Sequence, residues 1–325
     1  MQEEVSSKNS ILSFIKKKTI RSYFPIIFLM GMCLVFSLNN DRFFTWNNVT
    51  IILVQIVTLL VSAMGATFVI MAGSIDLSVG SILALSAVVT ALAVPSMGVW
   101  AFIPAILVGA ICGLVNGIIV AIGRVPSFIT TMGTVTALRG IVLIITQGTP
   151  IPIKDRNFLN TFSGRGIFNL PNTAFFALAI VIISYILMEK TPFGKELRAV
   201  GGGERVAELT GIKVIRIKIL AFVFAGTMFG IAGLLQASRV LAATATLGIG
   251  FELNVIAAVV VGGTALSGGV GGIMGTILGA LIIQVLSNGM NMIGFNAYYQ
   301  NVVTGIVLIL AVFISVDRKL LKSAK

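Results

Sequence analysis

Residues 49–81 read VTIILVQIVTLLVSAMGATFVIMAGSIDLSVGS. From Ile51 to Ala72 no residue carries a charge. At 1.5 Å rise per residue such a run crosses the roughly 30 Å hydrocarbon core of a bilayer as one helix. The run breaks at Gly73-Ser74, admits a single carboxylate at Asp76, and turns apolar again from Val79. A long apolar helix, a polar break and a second apolar run form one unit of a polytopic membrane protein. Long apolar runs recur from Tyr23 to Val316.

Composition agrees with that reading. Of the 325 residues, 57% are hydrophobic and 10% charged, which describes one all-α polytopic domain rather than a soluble chain with an anchor. The net charge of +12 would point to nucleic acid in a soluble protein. Here the basic residues gather at the chain ends and in one connection, which fits juxtamembrane contact with anionic lipid and no nucleic-acid partner. The sequence contains no histidine, which removes imidazole acid–base chemistry and His-ligated metals. No phosphate-loop pattern occurs either, because Gly194-Lys195 lacks the upstream glycine and the following Ser or Thr. We therefore assign no catalytic or metal-binding residue. Cys33 and Cys112 lie inside apolar runs and read as small packing residues.

Apolar segments of span length fall near 23–38, 49–72, 79–94, 99–121, 126–146, 173–188, 219–237, 252–267, 273–290 and 300–316. About ten transmembrane helices are expected, with 79–94 and 252–267 short enough to be broken or re-entrant; eight crossings plus re-entrant hairpins is the rival count. Lys16, Lys17, Lys18 and Arg21 ahead of Tyr23–Leu38 resemble a signal peptide, but Asn39-Asn40-Asp41-Arg42 follows in place of a small-residue cleavage site, so a retained span is expected. Placing both termini in the cytoplasm puts 17 of the 23 Lys and Arg inside and five outside, with Arg139 within a span. That is a strong positive-inside bias. The layout is a basic cytoplasmic tail over 1–22, a membrane domain over 23–316 with a cytoplasmic loop at 189–218, and a basic tail over 317–325.

Glycines four apart at 109, 113, 117 and again at 271, 275, 279 place a small-residue stripe on one helix face, where backbones approach closely in lipid. Asn116-Gly117 and Asn288-Gly289 sit in these two segments. Arg139-Gly140-Ile141-Val142-Leu143-Ile144 and Thr304-Gly305-Ile306-Val307-Leu308-Ile309 follow them. This ordering hints at an internal duplication of the kind transporters use.

Three features carry functional promise. In Gly73–Ser81, Asp76 and Ser78 precede an apolar helix, and Asp76 reads as its N-cap. The break is either a tight cytoplasmic turn or a half-helix end facing a solute path. Arg139 and Glu252 are lone charges that must pair, snorkel or face water. The connection Glu189–Lys218 holds seven basic and four acidic residues, and within it Gly203 and Gly211 bracket a two-turn helix over Glu204, Arg205, Val206, Ala207, Glu208 and Leu209. Asn116, Gln236, Asn254, Asn288 and Asn291 add neutral hydrogen-bonding groups at span positions or ends, each equally able to act as interhelical glue.

The strings Ile75-Asp76-Leu77-Ser78-Val79-Gly80-Ser81, Gly201–Ile212, Phe251-Glu252-Leu253, Ala257–Gly263, Ser267–Gly271 and Tyr298-Tyr299-Gln300 together resemble the permease subunits of bacterial monosaccharide importers of the ATP-binding-cassette type, nearest the ribose group. The likeness runs from about residue 45 to 317. It implies a permease in the bacterial inner membrane, pairing with a second copy, a periplasmic sugar-binding protein and a separate ATPase that holds ATP and magnesium. By this resemblance Glu204, Arg205, Ala207, Glu208, Leu209 and Gly211 match the coupling helix inserted into the ATPase. Asp76, Ser78, Asn116, Arg139, Glu252, Asn254 and Asn288 are the candidates for the translocation path. Two rivals stand beside it: a permease of the same fold for another solute, such as a nucleoside, and an ion-coupled secondary transporter complete in one chain.

Overall fold

The computed structural model describes residues 25–166 and 170–315. The two basic tails, 1–22 and 317–325, lie outside the described residues. In chain order the helices are α1 (Pro25–Asn39), α2 (Trp46–Met71), α3 (Val79–Met97), α4 (Phe102–Ala121), α5 (Ser127–Thr146), α6 (Arg156–Ser163), α7 (Asn172–Lys190), α8 (Pro192–Gly202), α9 (Glu204–Leu209), α10 (Val214–Val240), α11 (Phe251–Val261), α12 (Ile273–Met292) and α13 (Ala297–Ser315). A two-residue ribbon pairs β1 (Ile151–Pro152) with β2 (Ala242–Ala243), antiparallel.

Among the described residues, six apolar helical stretches are long enough to cross a membrane, and three shorter ones accompany them. One of the six, Val79–Ala121, is two helices in space. Run straight, the 38 residues from Ser78 to Asn116 would span roughly 57 Å; instead Asn116 Nδ2 lies 3.0 Å from Ser78 Oγ. The chain doubles back at Gly98, whose φ of +53° and short 3-10 turn (Gly98–Ala101) make the corner.

The centre of the bundle is an antiparallel pair, α2 on α10. Gly65 faces Ala225 and Met228, and the rings of Phe68 and Phe224 lie 4.4 Å apart. Gly109 and Gly113 of α4 sit directly on the backbone of Gly226, Gly230 and Phe222 in α10, so the first glycine stripe closes a helix seam. The second stripe is shorter than its spacing implies. Gly275 and Gly279 of α12 pack on Gly262 and Ala258 at the end of α11, whereas Gly271 precedes the helix in a turn at φ +129°.

The expected 252–267 span also differs. Its helix stops at Val261, because Gly262 and Gly263 turn the chain so that Thr264 N–H can reach back to Val259. The packing follows a duplicated plan: α4 lies on α10 as α12 lies on α2, and α3 lies beside α5 as α11 lies beside α13. Each set therefore contains one long helix, a break, a helix beginning inside the bundle, and two more helices.

The 147–172 connection folds into β1 and the short helix α6, capped by Asp155, whose carboxylate accepts from Phe158 N–H at 2.7 Å. Phe158 and Phe162 tuck under it. The basic connection holds two helices where the sequence led us to expect one. Pro192 starts α8 at the first helical position, and Gly203, at an extended φ of 165°, separates it from α9.

Candidate functional site

The break starts at an exposed Gly73, but Ser74, Asp76 and Ser78 are buried, so it is more than a solvated turn. Asp76 is 2% exposed. Its Oδ1 accepts both the N–H and the hydroxyl of Ser78, so it organises the residue before α3 and leaves the helix's own first-turn N–H groups untouched. The extended backbone runs alongside the start of α5, where Ser127 Oγ accepts from Ile75 N–H at 3.0 Å and Thr131 Oγ1 from Leu77 N–H at 3.1 Å. Non-helical backbone inside a membrane protein survives only when such partners replace the helix's own bonds. From Ser78 the hydrogen bonds continue through Asn116 to Thr134, at 3.0 and 2.6 Å.

A second break, 241–250, enters from the other side of the duplicated plan. Arg139 on α5 holds it: one guanidinium nitrogen donates to the carbonyls of Ala245 at 3.0 Å and Leu247 at 2.5 Å. The two breaks meet where Gly80, in the first turn of α3, lies against the Gly248 carbonyl. Glu252 belongs to the first turn of α11, and its carboxylate sits beside Gly80. One negative charge thus faces the positive ends of two helix dipoles. Arg139 and Glu252 form no direct ion pair; those among the described residues are Arg198–Glu189 and Lys218–Glu204.

Beside this junction lies a cavity of about 320 Å³, within the lower range of small-molecule sites. It is bordered by the first half of α2 (Gln55, Thr58), the last turns of α10 (Gln236, Arg239) and α12 (Ser287, Asn291), the start of α11 (Phe251, Asn254) and the start of α13 (Gln300, Asn301, Thr304). Neutral amides and hydroxyls supply most of the wall, and Leu59, Leu83, Phe251 and Ile283 give it an apolar side. Several are paired across helices: Gln284 with Gln55 at 2.8 Å, Thr58 with Gln236 at 2.9 Å, and Gln300 with Ser287 at 2.8 Å and Asn291 at 2.6 Å.

Of the candidate path residues, Asn254 borders the cavity, as do Gln236 and Asn291. Asp76, Ser78 and Asn116 form the separate network behind α3. Asn288 pairs with Asn48 across α12 and α2 in two amide bonds of 3.0 and 3.1 Å. Gln55, Gln284, Asn301 and Arg239 were not singled out from sequence, and Gln300 only within the Tyr298-Tyr299-Gln300 likeness. A sharper signal was present, since Gln55, Gln236 and Gln284 each interrupt a long apolar run.

At the opposite end of the bundle, α8 and α9 face outward. Val206 is 66% and Leu209 79% exposed, whereas Ala207 is buried. Gly211 closes α9 at φ +86°, with Ile212 N–H on Ala207 O and Gly211 N–H on Glu208 O. That is a Schellman end, as the glycine spacing led us to expect. Phe193 of α8 stacks on Phe68 of α2, ring centroids 5.9 Å apart. Gly201 is pressed against the carbonyl of Met71 and the amide of Gly269, which itself donates to Met71 O at 3.0 Å. The outward knob is therefore clamped to the end of α2 and to the turn between α11 and α12.

The family described as branched-chain amino acid transport system / permease component matches residues 48–312. The chain belongs to that permease family. It is a multi-pass inner-membrane permease, a transport component rather than an enzyme. It is 41% identical over 298 residues to the ribose import permease of Bacillus subtilis, covering 91% of this chain and 92% of the relative. The ribose import permease of Escherichia coli K12 is 37% identical over 89% of this chain and 92% of its own length. The D-allose transport system permease of the same organism is 36% identical, covering 88% of each. No solved structure matches the chain. Both breaks, the cavity wall and the α8–α9 knob of this permease fall inside the matched region.

Proposed function

We propose that this chain is the membrane-spanning subunit of an ATP-binding-cassette importer that admits ribose or a similar monosaccharide. The observation that carries the reading is the cavity at the end of the bundle remote from α9, lined mainly by neutral amides and hydroxyls with no carboxylate. A sugar is an uncharged solute covered in hydroxyl groups, and such a wall replaces its water hydrogen bonds without demanding a counter-charge. The relatives named for ribose and D-allose support the same solute class.

In this reading the chain crosses the membrane ten times with both termini in the cytoplasm, the orientation favoured by its Lys and Arg distribution. Residues 23–316 are the permease domain, and the tails and the 189–218 loop face the cytosol beside anionic lipid. A periplasmic binding protein delivers the sugar to the cavity end. A second copy of the chain completes the assembly, and a separate ATPase holds ATP and magnesium. Glu204, Arg205, Ala207, Glu208, Leu209 and Gly211 form the coupling knob that the ATPase grips. The clamp of Gly201 on Met71 and Gly269 would carry its movement to the end of α2 and to the turn ahead of α12.

The test is reconstitution. Sealed in vesicles with the ATPase and binding protein, the permease should concentrate ribose only while ATP is present. Sealed in alone, it should concentrate nothing, and gradient-driven accumulation by the lone chain would replace this reading with a secondary transporter.

A further inference from the structure

One charged side chain at the cavity is used by no part of the fold. Arg139 is spent on two carbonyls, Arg198 and Lys218 are paired, and Glu252 faces two helix N-termini. Arg239, in the last turn of α10, makes no hydrogen bond or ion pair among the described residues, and its Nε is buried without a partner. It is also the one charged residue of the cavity wall. Leaving a guanidinium unpaired in a membrane protein is costly, and such residues are kept where they act on what passes.

The wall explains what that action is. Amide and hydroxyl oxygens solvate a sugar hydroxyl, but they solvate a hydrated cation or an ammonium group just as well. Shape and hydrogen bonding alone would leave the passage open to cations. A fixed positive charge at the wall removes that ambiguity, and no carboxylate in the lining cancels it. At a separation of about 6 Å and an effective dielectric of about 20, one unit charge changes the local concentration of a monovalent ion by up to about a hundredfold.

We propose that Arg239 is the specificity-determining residue of this cavity: it repels cationic solutes and hydrated metal ions while donating N–H groups to the hydroxyl oxygens of a neutral sugar. The proposal rests on the transport reading for its sugar half. Its electrostatic half is measurable without any transport.

The experiment places a single thiol in the wall, Thr304→Cys, in a chain carrying Cys33→Ala and Cys112→Ala, assembled with its ATPase in lipid nanodiscs. Rates with an anionic and a cationic methanethiosulfonate of equal size are compared with those of a free thiol. With Arg239 intact, the anionic-to-cationic ratio should exceed the free-thiol ratio by tenfold or more. Arg239→Gln should bring it within about twofold, and Arg239→Lys should keep most of the preference. A ratio near the free-thiol value in the chain that retains Arg239 overturns the proposal without any Arg239 variant. Equal collapse in the Gln and Lys variants also overturns it, since shape rather than charge would then be at work. In sugar-loaded proteoliposomes, Arg239→Gln should raise potassium leak per sugar moved. The thiol ratios holding while no sugar is carried would refute the transport reading alone.

Discussion

Gly80 in the first turn of α3 meets Gly248 in the loop ahead of α11, backbone against backbone with no side chain between them. This contact joins the two halves of the duplicated plan at the point where each has interrupted its helix. Two helix N-termini converge there, and the Glu252 carboxylate lies against the junction. The breaks are therefore one structural device, with α3 and α11 aimed at each other beside the cavity.

A methyl group at this junction has nowhere to go. The Cβ of Gly80→Ala would fall on the Gly248 carbonyl, and backbone cannot rotate away as a side chain can. Overpacking of this kind costs about 1–3 kcal/mol. Gly80→Ala should lower the thermal unfolding midpoint in detergent and reduce sugar uptake, while Gly133→Ala, which meets nothing nearby, should change neither. Equal midpoints for the two variants would show that the junction is looser than drawn.

Arg139 should matter through the loop it holds. Its two bonds to Ala245 and Leu247 anchor 241–250 from α5, and charge-assisted bonds of this type contribute about 1.5–3 kcal/mol. Arg139→Ala should expose the loop: hydrogen exchange at residues 244–250 should accelerate at least tenfold while exchange in α4 stays slow. Arg139→Lys, with one compact ammonium, should recover part of the protection. Unchanged exchange in the alanine variant would assign loop order to the β1–β2 ribbon instead.

Asp76 allows a prediction whose sign is opposite to the usual one for a buried, hydrogen-bonded acid. Only Oδ1 is used, by Ser78, and Oδ2 is buried with no partner. Asn keeps the accepting oxygen and removes a buried charge. Asp76→Asn should therefore melt at or above the parent temperature, whereas Asp76→Ala should lose about 1–2 kcal/mol with the Ser78 contacts. A large destabilisation in the Asn variant would mean that the carboxylate charge is used.

Much of this architecture was legible in the sequence because hydrocarbon imposes strict lengths on helices. Apolar runs, the Gly73 break and the glycine stripe on α4 all follow from local chemistry. The second stripe misled at Gly271, since spacing alone cannot tell a helix face from a turn that glycine is equally free to make. Helix α8 was hidden for a related reason. Its charged residues, Lys195, Glu196 and Arg198, resemble a solvated loop, and its burial at Leu197 and Val200 depends on partners in α2 and α10. The cavity wall was hardest to foresee. Gln55, Gln236 and Gln284 come from three helices, and only tertiary packing gathers them around one space.

The knob formed by α9 divides into a face that holds and a face that is free. Ala207 is buried against the rest of the chain, and Glu204 is paired with Lys218 on α10. Val206 and Leu209 project outward, two apolar side chains on a short helix with nothing of this chain upon them. Exposed apolar groups at fixed positions mark a docking surface more often than chance. Leu209→Asp should abolish ATP-driven uptake and cut ATPase stimulation at least tenfold while leaving the unfolding midpoint within about 1 °C, as expected for an exposed side chain that contributes little to stability. Ala207→Leu should act the other way round, lowering the midpoint before coupling is even considered, because the added methylenes have no room beneath the helix. A Leu209→Asp permease that still couples ATP to uptake would remove α9 from the drive train and direct attention to α8.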